Sequence, residues 1–332
     1  MGIVRRYVDI ARLPKNAYLP VGAIVVLSLL PIGLGSNLRI MNILILCFIW
    51  SMVSTSWDLL MGYAGVWSFG QLAMFTIGGY TSGILTVHFG ISPWLGMAAG
   101  AGAAALTGVF MCLLCLRLRG MFLALVSFAI HLVLTPILNY ATPITGGTMG
   151  FSIPRFQIGE YVFSYFNMVP YYYVGLGLFL GVSYLIYRII HSSIGLALVS
   201  LGDSEVFTKC LGVNDYKSKF TLFAISSSIA GLAGAFYAHY QAVMAPTILG
   251  LTTFLQVLMM MVIGGLGRFP GAIIGAFTIT ALVEGLRPIG TLRFVALGAI
   301  IVGTMIYMPG GLMGIPESLN RLIKRSKLRR RK

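Results

Sequence analysis

The sequence predicts an all-α fold: a polytopic transmembrane helical bundle of eight to ten membrane spans, with amino and carboxyl termini cytoplasmic. Three observations carry this. Of 332 residues, 58% are hydrophobic and only 9% charged, against about a quarter charged in a soluble domain; mean hydropathy is +0.92. The apolar runs are long and unbroken, whereas strands of a membrane barrel run about 10 residues and alternate in and out. The net charge of +15 sits at the chain ends and in a few short loops, the pattern by which Lys and Arg keep segments cytoplasmic.

Each element follows from its local residues. Arg5, Arg6, Arg12 and Lys15 make 1–18 a basic cytoplasmic segment, with no cleavage signal after the first apolar run. Span one, about 19–35, ends at Gly33 and Gly35, and span two runs about 40–57. A glycine-rich break, "MGYAGVWSFG" (61–70), leads to span three, about 69–88. Pro93 opens span four, about 93–116, and Arg117 and Arg119 close it. Span five is about 121–139. A loop at about 140–170, poor in Lys and Arg, reads as external, and span six follows at about 171–190.

A polar stretch at about 191–219 then faces the cytoplasm, and span seven is about 220–244. Spans eight and nine, about 253–266 and 270–286, are short and joined by "GGLGRFPG" (264–271), so a single re-entrant pair is the alternative. Span ten is about 291–308, which closes one transmembrane domain at 19–308 and leaves a basic cytoplasmic tail at 309–332. The external arginines Arg39, Arg155, Arg287 and Arg293 read as scattered singly. The two breaks resemble each other, "VWSFGQLAMFTIGG" and "LGRFPGAIIGAFTI", as an internal repeat would.

Composition argues against several function classes. Four cysteines make no disulfide framework, and Cys112 and Cys115 are two small apolar residues on one helix face. His88, His131, His191 and His239 share no ligand spacing, so no metal site and no hydrolytic centre is expected. No phosphate-binding G-x-x-x-x-G-K-[ST] loop occurs. The basic tail reads as a topology signal, with no nucleic acid as partner. Ion-driven carriers place ionisable residues in their spans; here Asp58 and Glu284 stand at span ends and read as interfacial anchors, Glu284 pairing with Arg287. Energy for any transport would then come from elsewhere. No charged cage for a substrate is evident.

The polar stretch is more specific. Asp203 or Ser204 can cap a helix with Glu205 in its first turn, and Gly212 can stop it after Lys209. Between them Val206, Phe207, Cys210 and Leu211 form an apolar stripe. A helix of about two turns is not stable alone, so the stripe docks on a partner, on the chain's own spans or on lipid headgroups.

Five blocks in order resemble the permease subunits of bacterial ATP-binding-cassette (ABC) importers of the branched-chain amino acid (LivM/LivH-type) family. They are "LLMGYAGVWSFGQLAMFTIGGYTSGIL" (59–85), "LRLRGMFLALVSFA" (116–129), "TGGTMG" (145–150), the stretch 195–238 and "VIGGLGRFPGAIIGA" (262–276). The likeness covers about 50–315. It departs at Leu196, where the family often has Arg, at Leu201-Gly202-Asp203, at Val206-Phe207, at Phe122 and at Gln71, where His is common.

The resemblance implies a membrane-embedded permease in a bacterial or archaeal cytoplasmic membrane, not an enzyme, binding no cofactor of its own. ATP and Mg would sit on two cytoplasmic ATP-binding subunits. A related second permease subunit completes the pathway, as a heterodimer or alternatively a homodimer, and an extracytoplasmic binding protein delivers substrate to loops such as 140–170. Gly195, Asp203, Glu205, Val206, Phe207, Cys210, Leu211 and Gly212 are then the expected coupling residues. Gly62, Gly65, Gly70, Gly264, Gly265 and Gly267 are the expected pathway or hinge positions. Branched-chain or related amino acids are the expected cargo, with urea, short amides or aromatic acids as the alternative. A stand-alone secondary transporter is the competing reading from another class.

Overall fold

The computed structural model describes residues 18–35, 37–116, 118, 120–159, 161–203, 214–290, 298, 299, 303 and 311–314. Helices dominate, as the unbroken apolar runs predict. α1 is Tyr18–Leu34 and α2 is Leu38–Asp58, continued by a π-helical turn at Leu59–Tyr63. α3 is Gln71–Phe89, α4 Pro93–Cys115, α5 Met121–Tyr140 and α6 Val169–Ile190. α7 is Ser193–Asp203, α8 Asp215–Gln241, α9 Leu251–Gly264 and α10 Gly271–Gly285. Span ten falls largely outside the described residues.

Among the described residues, five helices are long and apolar enough to cross a membrane: Leu38–Tyr63, Pro93–Leu114, Met121–Tyr140, Val169–Ile190 and Asp215–Gln241. α3 has the length, but glycine, serine, threonine and histidine dilute its hydropathy. At 1.5 Å per residue α9 and α10 are about 21 and 22 Å long, short of a hydrocarbon core of about 30 Å. They lie against each other and against α2.

The bundle is layered around α2, whose most apolar window is 83% buried inside the protein, against 28% for α5. α3, α4 and α8 form one tightly packed group beside it. Glycine makes that closeness possible: a Cβ on Gly78 would stand 2.3 Å from Gly231 Cα, and one on Gly234 would meet the Phe75 carbonyl. Small residues let backbones touch where lipid offers no hydrophobic drive. Phe48, Trp57, Phe75 and Phe236 fill the core completely buried. The outer faces stay apolar, with Phe110, Phe122, Leu125 and Ile137 all exposed; such surface belongs in lipid.

The 140–170 loop is pinned rather than loose. β1 (Phe151–Ser152) pairs antiparallel with a strand just after α8 (Val243–Met244). A hairpin pairs Gln157–Ile158 with Tyr161–Val162. His239, buried in α8, anchors both loop and bundle: Nδ1 lies 2.7 Å from the Pro154 carbonyl and Nε2 2.8 Å from Ser82 Oγ. A carbonyl only accepts, so Nδ1 carries the proton, and in the neutral ring Nε2 accepts from the Ser82 hydroxyl.

Two readings of the polar stretch need correction. Gly195 is not a loop glycine preceding a helix near 203; it lies in the first turn of α7. A Cβ there would stand 2.1 Å from the Ile190 carbonyl oxygen, so glycine lets α7 pack on the end of α6. Asp203 is the last residue of α7, and the helix expected at about 203–211 falls outside the described residues. Buried Leu198, Val199 and Leu201 give α7 its own apolar face against the bundle. Span seven also starts sooner, because Asn214 caps α8 by accepting from the Lys217 N–H. Residues 204–213, with Glu205, Val206, Phe207, Cys210, Leu211 and Gly212, lie outside the described residues.

Candidate functional site

Two features at opposite ends of the bundle form the site: a backbone junction built by the glycine-rich breaks, and a polar cavity.

At the junction the two breaks meet face to face. A Cβ on Gly62 would stand 2.3 Å from Gly267 N, and one on Gly267 would stand 2.5 Å from the Gly62 carbonyl oxygen. Gly267 has φ +65°, which a side chain would also oppose. Two side chains of the first break hold the second by its N–H groups. Asp58 Oδ1 accepts from Gly267 N at 2.8 Å, and the Tyr63 hydroxyl accepts from Phe269 N at 2.7 Å. Asp58 is 3% exposed. It is therefore a buried lock on the second break rather than an interfacial anchor.

On its other side the first break touches α7. A Cβ on Gly65 would lie 3.0 Å from Gly202 Cα. Gly202 belongs to the last turn of α7, directly before the polar segment at 204–213. One stretch of backbone, 62–65, thus touches both the turn between α9 and α10 and the helix that leads into the expected coupling segment.

The remaining expected glycines play other parts. Gly264 lies against the Gly271 carbonyl within the second break, and Gly265 lies against Gly311. Gly70 faces the thioether end of Met111, with the Ser127 carbonyl oxygen farther off, 3.7 Å from where a Cβ would stand. None of the six lines the polar cavity described next. Gln71 stands just after the first break and ties three helices together. Its Nε2 donates to Ser56 Oγ at 2.8 Å on α2 and to the Ser226 carbonyl at 2.9 Å on α8.

The cavity opens at the other end of α2. Two contiguous pockets of about 450 and 430 Å³ share Asn42, Tyr165, Glu284 and Arg287. Arg39 stands at the rim of the first, and its guanidinium donates to the Glu284 carbonyl at 3.4 Å. The Arg287 guanidinium lies 3.4 Å from Glu284 Oε2. The second pocket descends past Gln241 and Gln256 to Trp50 and Met260. From Asn42 to Trp50 is eight residues of helix, about 12 Å.

The arginines at 39 and 287 are thus brought together around Glu284, which corrects the reading that these two are scattered singly. Glu284–Arg287 was legible at i,i+3. Arg39 was not, because it lies 245 residues from Glu284. The only clue available was that Arg39 and Arg287 flank spans ending on the same side.

The family of branched-chain amino acid transport system permease components matches residues 39–309. The chain is 28% identical over 294 residues to the high-affinity branched-chain amino acid transport system permease protein LivM of Escherichia coli (strain K12). That alignment covers 82% of this chain and 69% of the relative. The Salmonella typhimurium LivM is 28% identical over 278 residues, covering 77% of this chain and 65% of the relative. The chain therefore spans about two thirds of the length of these two LivM proteins. A probable LivH permease of Methanocaldococcus jannaschii is 24% identical over 280 residues, covering 78% of this chain and 87% of the relative. No solved structure matches the chain.

Proposed function

This chain belongs to the family of branched-chain amino acid transport permease components, and from that premise we propose that it forms the translocation pathway of an ABC importer for branched-chain or related amino acids. The observation that carries the reading is the junction. A polar cavity enters the bundle at one end, and at the other end the first break presses on Gly267 and on Gly202 of α7. Movement of the segment after Asp203 would reach the sealed end of the pathway through a single glycine contact.

In this reading both termini and residues 204–213 are cytoplasmic, the cavity is outward-facing, and α9 with α10 dips into the membrane as a re-entrant hairpin. Two cytoplasmic ATP-binding subunits carry ATP and Mg and perform the hydrolysis. The stripe Val206, Phe207, Cys210 and Leu211, flanked by Asp203, Glu205 and Gly212, meets them, and Gly195 sets the angle of α7 against α6. The breaks at Gly62, Gly65, Gly70, Gly264, Gly265 and Gly267 act as hinges more than as pathway lining. A related permease subunit, whose relatives would be the LivH-like proteins, completes a heterodimer. An extracytoplasmic binding protein docks on the pinned 140–170 loop. The membrane is the cytoplasmic membrane of a bacterium or archaeon.

The charged rim favours amino acids over urea or short amides, because a zwitterion meets Arg39, Glu284 and Arg287 with opposite charges while a neutral ligand offers only neutral hydrogen-bonding groups. Reconstitution with the partner subunits tests the reading. Phe207→Asp should abolish ATP-driven uptake while the chain still inserts in the membrane. Normal uptake together with normal co-purification of the ATP-binding subunit would sink the coupling role, and uptake by the chain alone in liposomes would favour a secondary transporter.

A further inference from the structure

We infer that the mouth of the cavity is a zwitterion-selective capture site, with Glu284 taking a ligand's ammonium group and Arg39 and Arg287 its carboxylate. The inference rests on the transport reading and assigns it residues.

Charge of both signs is gathered at one rim. Glu284 is flanked by two guanidiniums, each 3.4 Å from one of its oxygens: Arg287 from the carboxylate Oε2, Arg39 from the backbone carbonyl. A ligand carrying only an anionic group would face Glu284, and one carrying only a cation would face two arginines. A ligand with both charges one carbon apart satisfies the whole rim. The Arg287 side chain is 68% exposed and its contact with Glu284 is long, so the internal pair is weakly held. Exchanging it for a bidentate carboxylate contact and an ammonium–carboxylate contact gains geometry on both sides.

The wall below the rim has a different character. Asn42, Gln241 and Gln256 line the descent. A carboxamide presents both a donor and an acceptor and no net charge. It can pass either end of a zwitterion without trapping it, which passage requires. At the floor, Leu46, Trp50 and Met260 offer apolar surface to an aliphatic side chain. That polar descent into the bundle also argues for a small solute rather than a lipid headgroup, whose tails would need an apolar groove beside the rim.

Binding to the purified permease heterodimer, without its binding protein, is measured by saturation-transfer NMR for leucine, leucinamide and 4-methylpentanoate. The wild type should bind leucine at least tenfold more tightly than either analogue, since each analogue lacks one charge. Glu284→Gln should bring leucine down to the level of 4-methylpentanoate and leave 4-methylpentanoate no weaker. Arg39→Gln combined with Arg287→Gln should bring leucine down to the level of leucinamide. Equal binding of all three ligands, no leucine binding by the wild type, or an equal loss for all three in Glu284→Gln would each overturn the inference. ATP-driven leucine uptake by the fully assembled wild-type transporter is read separately. Uptake without the charge pattern sinks the capture site alone; the charge pattern without uptake sinks the transport reading alone.

Discussion

The two glycine-rich breaks begin from similar residues and end in different arrangements. After the first, the chain opens out: α3 leaves α2 and packs with α4 and α8. After the second, the chain folds back: α10 returns along α9, and both lie on α2. The flanking chemistry differs accordingly. The first break ends a long helix with a π-helical turn and supplies the side chains, Asp58 and Tyr63, that hold the contact. The second supplies bare backbone, Gly267 N and Phe269 N, to be held. Likeness in sequence here marks a shared helix–break–helix plan, and the difference in partners makes one break a clasp and the other the strap it closes on.

That division of labour can be broken at graded cost. Gly267→Ala should do most damage, because it adds a clash with the Gly62 carbonyl to a left-handed backbone; a loss of about 3 kcal/mol or more is expected in thermal unfolding of the detergent-solubilised protein. Gly62→Ala, which adds the clash without the left-handed backbone, should follow closely, and a mild effect of both would mean the contact is not maintained. Next comes Asp58→Ala, which leaves the Gly267 N–H buried without its acceptor at a cost of about 1–3 kcal/mol. Asp58→Asn keeps an acceptor oxygen and should recover most of that loss, so equal effects of Ala and Asn would show that the charge, not the hydrogen bond, is what matters.

Tyr63→Phe removes the acceptor for Phe269 N and should cost about 1 kcal/mol. Gly70→Ala should be the mildest. Its added Cβ clashes with the flexible end of Met111 and meets the Ser127 carbonyl at ordinary contact distance, so a change under about 1 kcal/mol and undiminished uptake are expected. If Gly70→Ala proves as costly as Gly62→Ala, the breaks are uniformly tight and the clasp is not the special contact.

Legibility in the sequence varied in a regular way. Helix positions were readable almost throughout: the run predicted at 93–116 is Pro93–Cys115, and that at 121–139 is Met121–Tyr140. Start signals such as Pro93 act within one turn of their own position. The polar stretch is less legible: α7 is placed by burial of Leu198, Val199 and Leu201 against the bundle, which the charged residues after it do not signal. Asp58 read as an anchor because its acceptor role depends on a backbone N–H 209 residues away. Gln71, where the family resemblance expects His, is a polar clasp between α2, α3 and α8, a role visible only once Ser56 and Ser226 are seen beside it.

What the sequence by itself determined is the solvent and the class of element. An apolar chain must satisfy every backbone N–H and C=O internally in lipid, and unbroken runs do that as helices. The ordered glycine, proline and basic residues then set where each helix stops and what family the chain resembles. Only the tertiary structure decided which of those ends meet. The pairing of Gly62 with Gly267 and of Gly65 with Gly202, and the gathering of Arg39, Glu284 and Arg287 at one rim, join residues up to 248 positions apart. Such contacts depend on how whole helices pack, and a local pattern carries no record of its distant partner.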